Sequence, residues 1–234
     1  MDNKGKHIVL AIPDLHLPFE HPDALEFLKW VRRKYLPDTV VCLGDEIDFH
    51  ALSDYDADPD GYSPGHELEK AIETLQDYYK LFPNVKICTS NHTARPFKRA
   101  FKSGIPRAFI RDYAEFLKAP AGWCWADKHE VDGIIYEHGE GQSGNQGAIK
   151  AAVGNMQSTV IGHLHSDAGI QYLANDKHLI YGFNVGCLLD RHAYVAAYGK
   201  HMKKKPILGC GIINKGIPTF IPLILGRNGR WIKQ

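Results

Sequence analysis

The sequence predicts an α/β fold in which two packed β-sheets carry flanking helices. Through the first two-thirds of the chain, short β-branched runs alternate with amphipathic stretches, which is the pattern of strand–helix–strand units. The last third carries short apolar runs separated by Gly and Pro, which is typical of antiparallel strands. No linker, internal repeat or low-complexity segment divides the 234 residues. We therefore expect a single domain over residues 1–234.

The first half of the chain supplies three buried strands and two long helices. We predict strands at 7–12, 39–43 and 85–89, and helices at about 22–35 and 67–81. In the first helix, Phe27 and Val31 belong to one apolar face with helical spacing. The segment 95–117 is also helical in pattern. We expect it to break at Ile105-Pro106, because a residue before proline disfavours the α-conformation.

The second half mixes strands with Gly-rich connections. We predict strands at 133–137 and 158–162, which flank a Gly-rich loop and a helix near 146–154. Beyond residue 165, apolar runs predict an antiparallel set of strands at 168–173, 179–186, 207–213 and 219–225. The run Trp123-Cys124-Trp125 is interpreted as a buried packing corner.

Composition and charge exclude several classes of protein. The chain is 44% hydrophobic and 24% charged, which excludes a disordered, coiled-coil or collagen-like protein. A net charge of +1 gives no global preference for nucleic acid or membrane. No apolar run reaches about 18 residues, so we expect no membrane association. The five scattered cysteines form no CxxC pair and argue against a disulfide framework, so we expect a cytoplasmic protein.

Polar clusters stand directly after five of the predicted strands. They are Asp14-Leu15-His16, Gly44-Asp45-Glu46-Ile47-Asp48, Ser90-Asn91-His92, His138-Gly139-Glu140 and Gly162-His163-Leu164-His165. In α/β sheets the loops at the carboxyl ends of the strands converge, and ligands bind there. We therefore expect these five clusters to meet at one site.

The spacing within two of the clusters suits a metal ion. Asp14 and His16 stand two residues apart, so on an extended strand end both side chains point to the same side. His163 and His165 have the same spacing, and Gly162 before them would let the backbone turn sharply. Taken alone, Asp14 would equally suit a turn and the histidine pair an exposed surface.

The types of residue indicate which metal the site would hold. Asp45 follows an apolar strand, where a buried carboxylate is costly unless a cation or hydrogen bonds compensate it. Asn91 offers a neutral oxygen ligand, which suits harder divalent ions such as Mn²⁺ or Fe²⁺. A mixture of carboxylate, amide and imidazole without thiolate argues against a structural zinc site.

The ordered set of five clusters resembles the calcineurin-like metallophosphoesterases, whose pattern is D-x-H, G-D-x-x-D, G-N-H-[DE], a lone H and G-H-x-H. The resemblance spans residue 8 to about residue 165 and implies a four-layer αββα sandwich with two mixed β-sheets. The strand-rich tail would fit the second sheet of that fold. Ser90 and Thr93 depart from the pattern, which has Gly and an acid there. Glu46 and Glu140 are candidates to replace the missing acid beside His92.

The resemblance implies two divalent metal ions and a role for each motif residue. One ion would be held by Asp14, His16, Asp45 and His165, and the other by Asp45, Asn91, His138 and His163. Asp48 would support the ligands, and His92 would be the catalytic histidine. Two such cations share a water molecule and lower its pKa, so that a metal-bridged hydroxide attacks phosphorus. Mn²⁺ is the metal we expect, and Fe, Ni, Zn or Mg are also compatible.

The substrate class follows from the residues around the motifs. Arg95 and Arg99 lie on one face of a helix that starts just after His92, so we predict that they bind a phosphoester substrate. A solvated helix face explains the same charges equally well. Phe49-His50 stands where the protein phosphatases of the family carry Arg-Gly, which weighs against a phosphoprotein substrate.

We therefore favour a phosphodiesterase acting on nucleic acid or nucleotides. A phosphomonoesterase acting on a small molecule or a protein is the alternative. A non-catalytic scaffold on the same fold is the rival from another class of protein. The sequence leaves the oligomeric state open.

Overall fold

A computed structural model describes residues 7–54, 58–199 and 203–233 of the chain. The strands are β1 Ile8–Ile12, β2 Thr39–Cys42, β3 Val85–Cys88, β4 Trp123–Ala126, β5 Lys128–Val131, β6 Ile134–Glu137, β7 Thr159–Ile161, β8 Ala168–Ala174, β9 Leu179–Val185, β10 Gly209–Asn214 and β11 Ile217–Pro222. The helices are α1 Ala24–Tyr35, α2 Pro64–Leu81, α3 Arg95–Lys102, α4 Tyr113–Phe116 and α5 Gly147–Asn155. Short 3₁₀ turns lie at His50–Leu52, Arg107–Phe109 and Tyr194–Gly199. Within these ranges no helix combines the length and apolarity needed to cross a membrane.

The strands form two mixed β-sheets. The first sheet has the order β11-β10-β1-β2-β3-β4, in which β1 to β4 run parallel and β10 and β11 antiparallel to their neighbours. The second has the order β5-β6-β7-β9-β8, with β6, β7 and β9 parallel. The prediction of two mixed sheets is confirmed. Parallel strands need crossover helices, and α1, α2 and α5 provide three of them.

Alternating side chains of the first sheet build the layers on either side of it. In β1, Leu10 and Ile12 join a core that includes Phe27 of α1 and Leu75 of α2. Val9, on the opposite face of the same strand, joins the core shared with the second sheet. Because successive side chains of a strand point to opposite faces, one apolar run serves both cores. The result is the predicted αββα sandwich, with α5 covering the outer face of the second sheet.

The strand-rich tail divides between the two sheets, so its assignment to the second sheet is wrong for half of it. β8 and β9 do join the second sheet as an antiparallel pair. β10 instead pairs antiparallel with β1 at the far end of the sequence, from Ile8 opposite Asn214 to Ala11 opposite Gly211. A hairpin then adds β11 at the edge. Local pattern identified the strands but not their partners, because such pairing is set by long-range packing.

Two strands, β4 and β5, lie where no strand was expected. Trp123 is buried, as expected of a packing corner, but its segment pairs in parallel with β3. The ring Nε1 of Trp123 donates to the carbonyl oxygen of Phe82, which holds the start of β4 in place. Lys128–Val131 is short and mostly polar, so it lacks the apolar alternation that marks a strand in sequence.

Candidate metal centre

The five polar clusters meet between the two sheets. Three of them follow the parallel strands β1, β2 and β3 of the first sheet, and two follow β6 and β7 of the second. The site therefore lies at the carboxyl ends of strands from both sheets, as expected for ligand sites in α/β proteins. The two sheets share a packed core, and this core fixes the relative position of the clusters.

The first group of potential ligands consists of Asp14, His16, Asp45 and His165. Each offers one ligand atom, and these atoms lie within 4.8 Å of one another. His165 Nε2 lies 3.0 Å from Asp14 Oδ2 and 3.1 Å from His16 Nε2. His16 Nδ1 donates to Asp48 Oδ2 at 2.7 Å, which turns its Nε2 towards the centre of the group. The sequence predicted this set of four, and the structure brings it together.

The second group consists of Asp45, His138 and His163, with Asn91 beside them. The ligand atoms of the first three lie within 4.8 Å of one another. Asn91 Oδ1 lies 2.8 Å from His138 Nε2, and His163 Nδ1 lies 3.1 Å from the same atom. His138 Nδ1 donates to the backbone carbonyl of Leu43 at 2.8 Å, so its Nε2 carries the lone pair that faces the group.

Asp45 belongs to both groups. Its Oδ2 atom lies 3.6 Å from His16 Nε2 and 3.5 Å from His138 Nε2, one nitrogen from each group. The carboxylate is fully buried, and its Oδ1 accepts a long hydrogen bond of 3.3 Å from the backbone N–H of His92. Asp45 therefore lies between the two groups and belongs to both.

The donor set fits divalent cations. Opposed pairs of imidazole nitrogens about 3 Å apart need either a shared proton or a cation between them. Among the described residues, no donor reaches the buried Oδ1 atom of Asp14, and an unpaired buried carboxylate oxygen is costly. Carboxylates, imidazoles and one amide oxygen are ligands that Mn²⁺, Fe²⁺ and Zn²⁺ all accept. The clustered residues thus suit divalent metal ions without selecting one.

The pKa values of the clustered side chains depend strongly on the charges of their neighbours. Burial lowers the pKa of His16, but Asp48, Asp45 and Asp14 outweigh burial and raise that pKa to about 9. Burial raises the pKa of Asp45, but His138, His92 and His16 outweigh it and hold the pKa well below its usual range. His16 would have to lose its proton to ligate a metal, so cation binding at this centre releases protons.

Backbone strain is concentrated at the centre. His16, Asp45 and His163 have φ values of 55°, 48° and 64°, in the left-handed region that non-glycine residues rarely adopt. Such conformations cost about 1–3 kcal/mol each and are typical of functional sites, where the surrounding packing imposes them. Three of the seven predicted ligands therefore have strained backbone conformations, as is typical of functional sites.

Gly162 is close to the site for a reason other than the one expected. The turn falls at His163, whose φ is positive, whereas Gly162 does not have a positive φ. A Cβ atom at Gly162 would instead stand 2.2 Å from Asp14 Oδ1. The glycine is needed for the close approach of a carboxylate, not for flexibility.

His92 lies beside this centre and is oriented through its backbone neighbours. Its Nδ1 lies 2.6 Å from the carbonyl oxygen of Asp48, so Nδ1 carries the proton. Its Nε2 lies 3.7 Å from Asp45 Oδ2 and 3.1 Å from Arg95 Nη2, which is placed to donate to it. Burial lowers the pKa of His92 to about 4 against the opposing charges of Asp45 and Asp48. The ring is therefore neutral near pH 7.

The two glutamates considered as replacements for the missing acid are engaged elsewhere. Glu46 is fully buried and accepts a hydrogen bond of 2.9 Å from Trp125 Nε1. Glu140 is exposed and lies 3.9 Å from Lys98 Nζ. Thr93 itself closes a local turn, because its Oγ1 donates to Ser90 O and accepts from Ser90 N.

The two arginines predicted to bind substrate occupy different positions. Arg95 Nη1 donates to the carbonyl of Asp48 at 2.8 Å, so its guanidinium lies at the centre beside His92. Arg99 is directed away, with Nε donating to Leu52 O and Nη2 to Ser53 O. Arg99 thereby stabilises the loop after Asp48, a role that the sequence did not indicate.

The family of the chain follows from this ordered ligand set. The model of the calcineurin-like phosphoesterases matches residues 7–179. The chain belongs to the calcineurin-like phosphoesterase family. Members of this family are metallophosphoesterases. The match therefore supports hydrolase chemistry and divalent metal binding, without identifying the substrate or the metal. No curated protein sequence matches the chain.

Several solved structures are similar to this phosphoesterase. A metallophosphoesterase from Sphaerobacter thermophilus is 16% identical, with 93% of this chain and 88% of that one covered and a TM-score of 0.48. The phosphoesterase Yfce from E. coli is 14% identical over 97% of each chain, with a TM-score of 0.43. Vacuolar Protein Sorting 29 from Cryptosporidium parvum is 13% identical over 92% of this chain and 95% of that one, with a TM-score of 0.43.

Proposed function

We propose that this protein is a two-metal phosphoester hydrolase and that its substrates are phosphodiesters of nucleic acid or nucleotides. The observation that carries the proposal is the position of Asp45 Oδ2, within 3.6 Å of a ring nitrogen from each ligand group. A carboxylate placed in this way suits a pair of cations sharing one bridge. A single ion would leave one of the two groups without a charge partner.

The ligand roles follow from the two groups. One cation would be bound by Asp14, His16, Asp45 and His165, and the other by Asp45, Asn91, His138 and His163. Mn²⁺ is the proposed metal, because the amide oxygen and the carboxylates favour a harder ion than structural zinc sites do. Bound at this centre, the two cations would neutralise the phosphoryl oxygens and activate a water molecule.

His92 and Arg95 supply the groups that act on the substrate itself. The proton on His92 Nδ1 is fixed by the carbonyl of Asp48, so Nε2 is left as the reactive nitrogen. There it can stabilise the leaving oxygen, or protonate it after taking up the proton that the attacking water releases. Arg95 Nη2 is 3.1 Å from Nε2 and adds positive charge where the leaving oxygen would develop negative charge.

The preference for diesters rests on the surroundings of His92. Arg95 is mostly buried, which makes its charge effective against a phosphoryl group. Farther along α3, Lys98 and Lys102 pair with Glu140 and Asp54 in exposed ion pairs. Such pairs contribute little stability, so a polyanionic substrate could replace the acidic partners. Phe49 and His50 stand where phosphoprotein phosphatases carry Arg-Gly.

Hydrolysis of two chromogenic esters tests the proposal. The protein is loaded with Mn²⁺ and assayed on bis-p-nitrophenyl phosphate and p-nitrophenyl phosphate, with Asp45→Ala and His92→Ala as variants of reduced activity for comparison. We expect faster turnover of the diester. Turnover of the monoester alone would make the protein a phosphomonoesterase. Turnover of neither ester by the metal-loaded protein would contradict the enzyme and leave the scaffold as the better explanation.

A further inference from the structure

Glu67 of α2 is a buried acid that belongs to none of the motifs. It is 1% exposed, although a buried glutamate is rare unless it is paired. Both of its oxygens accept backbone hydrogen bonds, Oε1 from His50 N–H at 2.7 Å and Oε2 from Ala51 N–H at 2.9 Å. The carboxylate thus binds the start of the loop that follows Asp48.

This loop needs such support because its backbone is strained. Phe49 has a φ of 51°, in the left-handed region, immediately after Asp48. On the other side of the loop, Arg99 donates to the carbonyl oxygens of Leu52 and Ser53. Glu67 on α2 therefore binds backbone amides of the loop, and Arg99 on α3 binds its backbone carbonyls.

The carbonyl oxygen of Asp48 is the group that the loop delivers to the centre. It accepts from His92 Nδ1 at 2.6 Å and from Arg95 Nη1 at 2.8 Å. A shift of Phe49 and His50 would rotate the peptide unit that carries this oxygen. A histidine held by one carbonyl takes its tautomer and its ring orientation from that carbonyl.

We propose that Glu67 is the positioning residue for His92. It acts through the His50 and Ala51 amides and the carbonyl of Asp48. In this way it would replace the acid that the family pattern has at the position of Thr93. The inference rests on the proposed function, since it assigns Glu67 a part in the same reaction. Among the described residues, the Glu67 side chain hydrogen-bonds to the His50 and Ala51 amides and to none of the candidate ligands. Through the Asp48 carbonyl it acts on how His92 presents Nε2.

A double-mutant cycle separates positioning from a general structural role. If His92 assists the leaving oxygen, esters with poor leaving groups depend on it more than esters with good ones. We expect Glu67→Gln to lower kcat for diphenyl phosphate about tenfold, the size of one lost charge-assisted hydrogen bond, and to change kcat for bis-p-nitrophenyl phosphate and both KM values little. In the His92→Ala background, Glu67→Gln should have no further effect, because the group it positions is gone.

The controls guard against misfolding and nonspecific effects. Glu73→Gln changes an exposed glutamate of the same helix and should leave both esters unaffected. If Glu67→Gln fails to fold, Glu67→Asp keeps the carboxylate at a shorter reach and should give a smaller loss of the same kind. Equal losses on the two esters, or losses that multiply with that of His92→Ala, would overturn the positioning role.

A second measurement of the role of Glu67 does not depend on catalytic activity. Side-chain nitrogen NMR of the metal-free protein reports the tautomer of His92, assigned by the signal that His92→Ala removes. We expect the Nδ1–H tautomer in the parent protein and a mixture of tautomers in Glu67→Gln. An unchanged His92 signal in Glu67→Gln would refute the proposal, whatever the assays show. If the metal-loaded protein hydrolyses neither ester, the proposed function fails while this measurement still decides the role of Glu67.

Discussion

The Nδ1 atom of His92 lies 2.6 Å from the backbone carbonyl oxygen of Asp48. A carbonyl oxygen can only accept, so the hydrogen of the neutral ring is on Nδ1 and the lone pair is on Nε2. Nε2 in turn lies 3.1 Å from Arg95 Nη2 and 3.7 Å from Asp45 Oδ2. A peptide carbonyl thus does for this histidine what a carboxylate does in many other catalytic sites.

Replacing His92 tests whether this arrangement serves the reaction. We expect His92→Ala to lower kcat on a diester by about 10²–10⁴-fold, the usual contribution of a general acid or base. The number of bound metal ions should not change, because His92 lies outside both ligand groups of the proposal. His178→Ala, which removes an exposed histidine, is the matched control and should keep full activity. A kcat for His92→Ala within a few-fold of the parent protein would rule out a catalytic role.

The convergence of the polar clusters could be predicted because each one directly follows a buried strand. Strand runs are visible as apolar patterns, and the ends of parallel strands meet at one edge. Asp14, His16 and Asp45 were therefore expected together, and they lie together. Their roles as ligands stay predictions until metal is measured.

The orientation of His92 could not be predicted, because it depends on a backbone oxygen and on a carboxylate 19 residues after Asp48. No motif marks Glu67, since its partners are backbone amides, which every residue except proline has. The partner of β10 was likewise hidden. Strand pairing is decided by packing between distant segments, and a hairpin pattern does not say which sheet it joins.

The proposed bridging role of Asp45 makes a prediction about metal content. Asp14 belongs to one ligand group, whereas Asp45 belongs to both. After loading with Mn²⁺ and gel filtration, we expect about two ions per chain in the parent protein, about one in Asp14→Ala and fewer than one in Asp45→Ala. Asp176→Ala, at an exposed turn, should retain both ions. Equal losses in Asp14→Ala and Asp45→Ala, measured by elemental analysis, would show that Asp45 does not bridge.

The contact of Gly162 with Asp14 predicts a cost for adding a single methyl group. A Cβ atom at Gly162 would stand 2.2 Å from Asp14 Oδ1, a distance that forces the carboxylate to move. We expect Gly162→Ala to lower the free energy of unfolding by about 1–3 kcal/mol, as overpacking usually does, and to weaken Mn²⁺ binding.

Gly154→Ala is the control, because within the described ranges no atom lies within 4 Å of its added Cβ and alanine favours the helix. Chemical denaturation and metal titration of both variants provide the comparison. Unchanged Mn²⁺ affinity in Gly162→Ala would argue against Asp14 as a ligand.

Glu20 predicts a pH dependence of stability that is separate from the metal centre. Burial raises its pKa to about 7, against an ordinary value near 4.5, so the folded state binds the Glu20 proton more tightly than the unfolded state does. As pH rises from about 4.5 to 7, the unfolded chain loses this proton first, and the contribution of Glu20 to stability falls.

Glu20→Gln removes the ionisation. In metal-free protein we expect the variant to match the parent near pH 4.5 and to be more stable by on the order of 2 kcal/mol at pH 8. Urea denaturation at both pH values is the measurement, and a stability difference that does not grow with pH would refute the assignment.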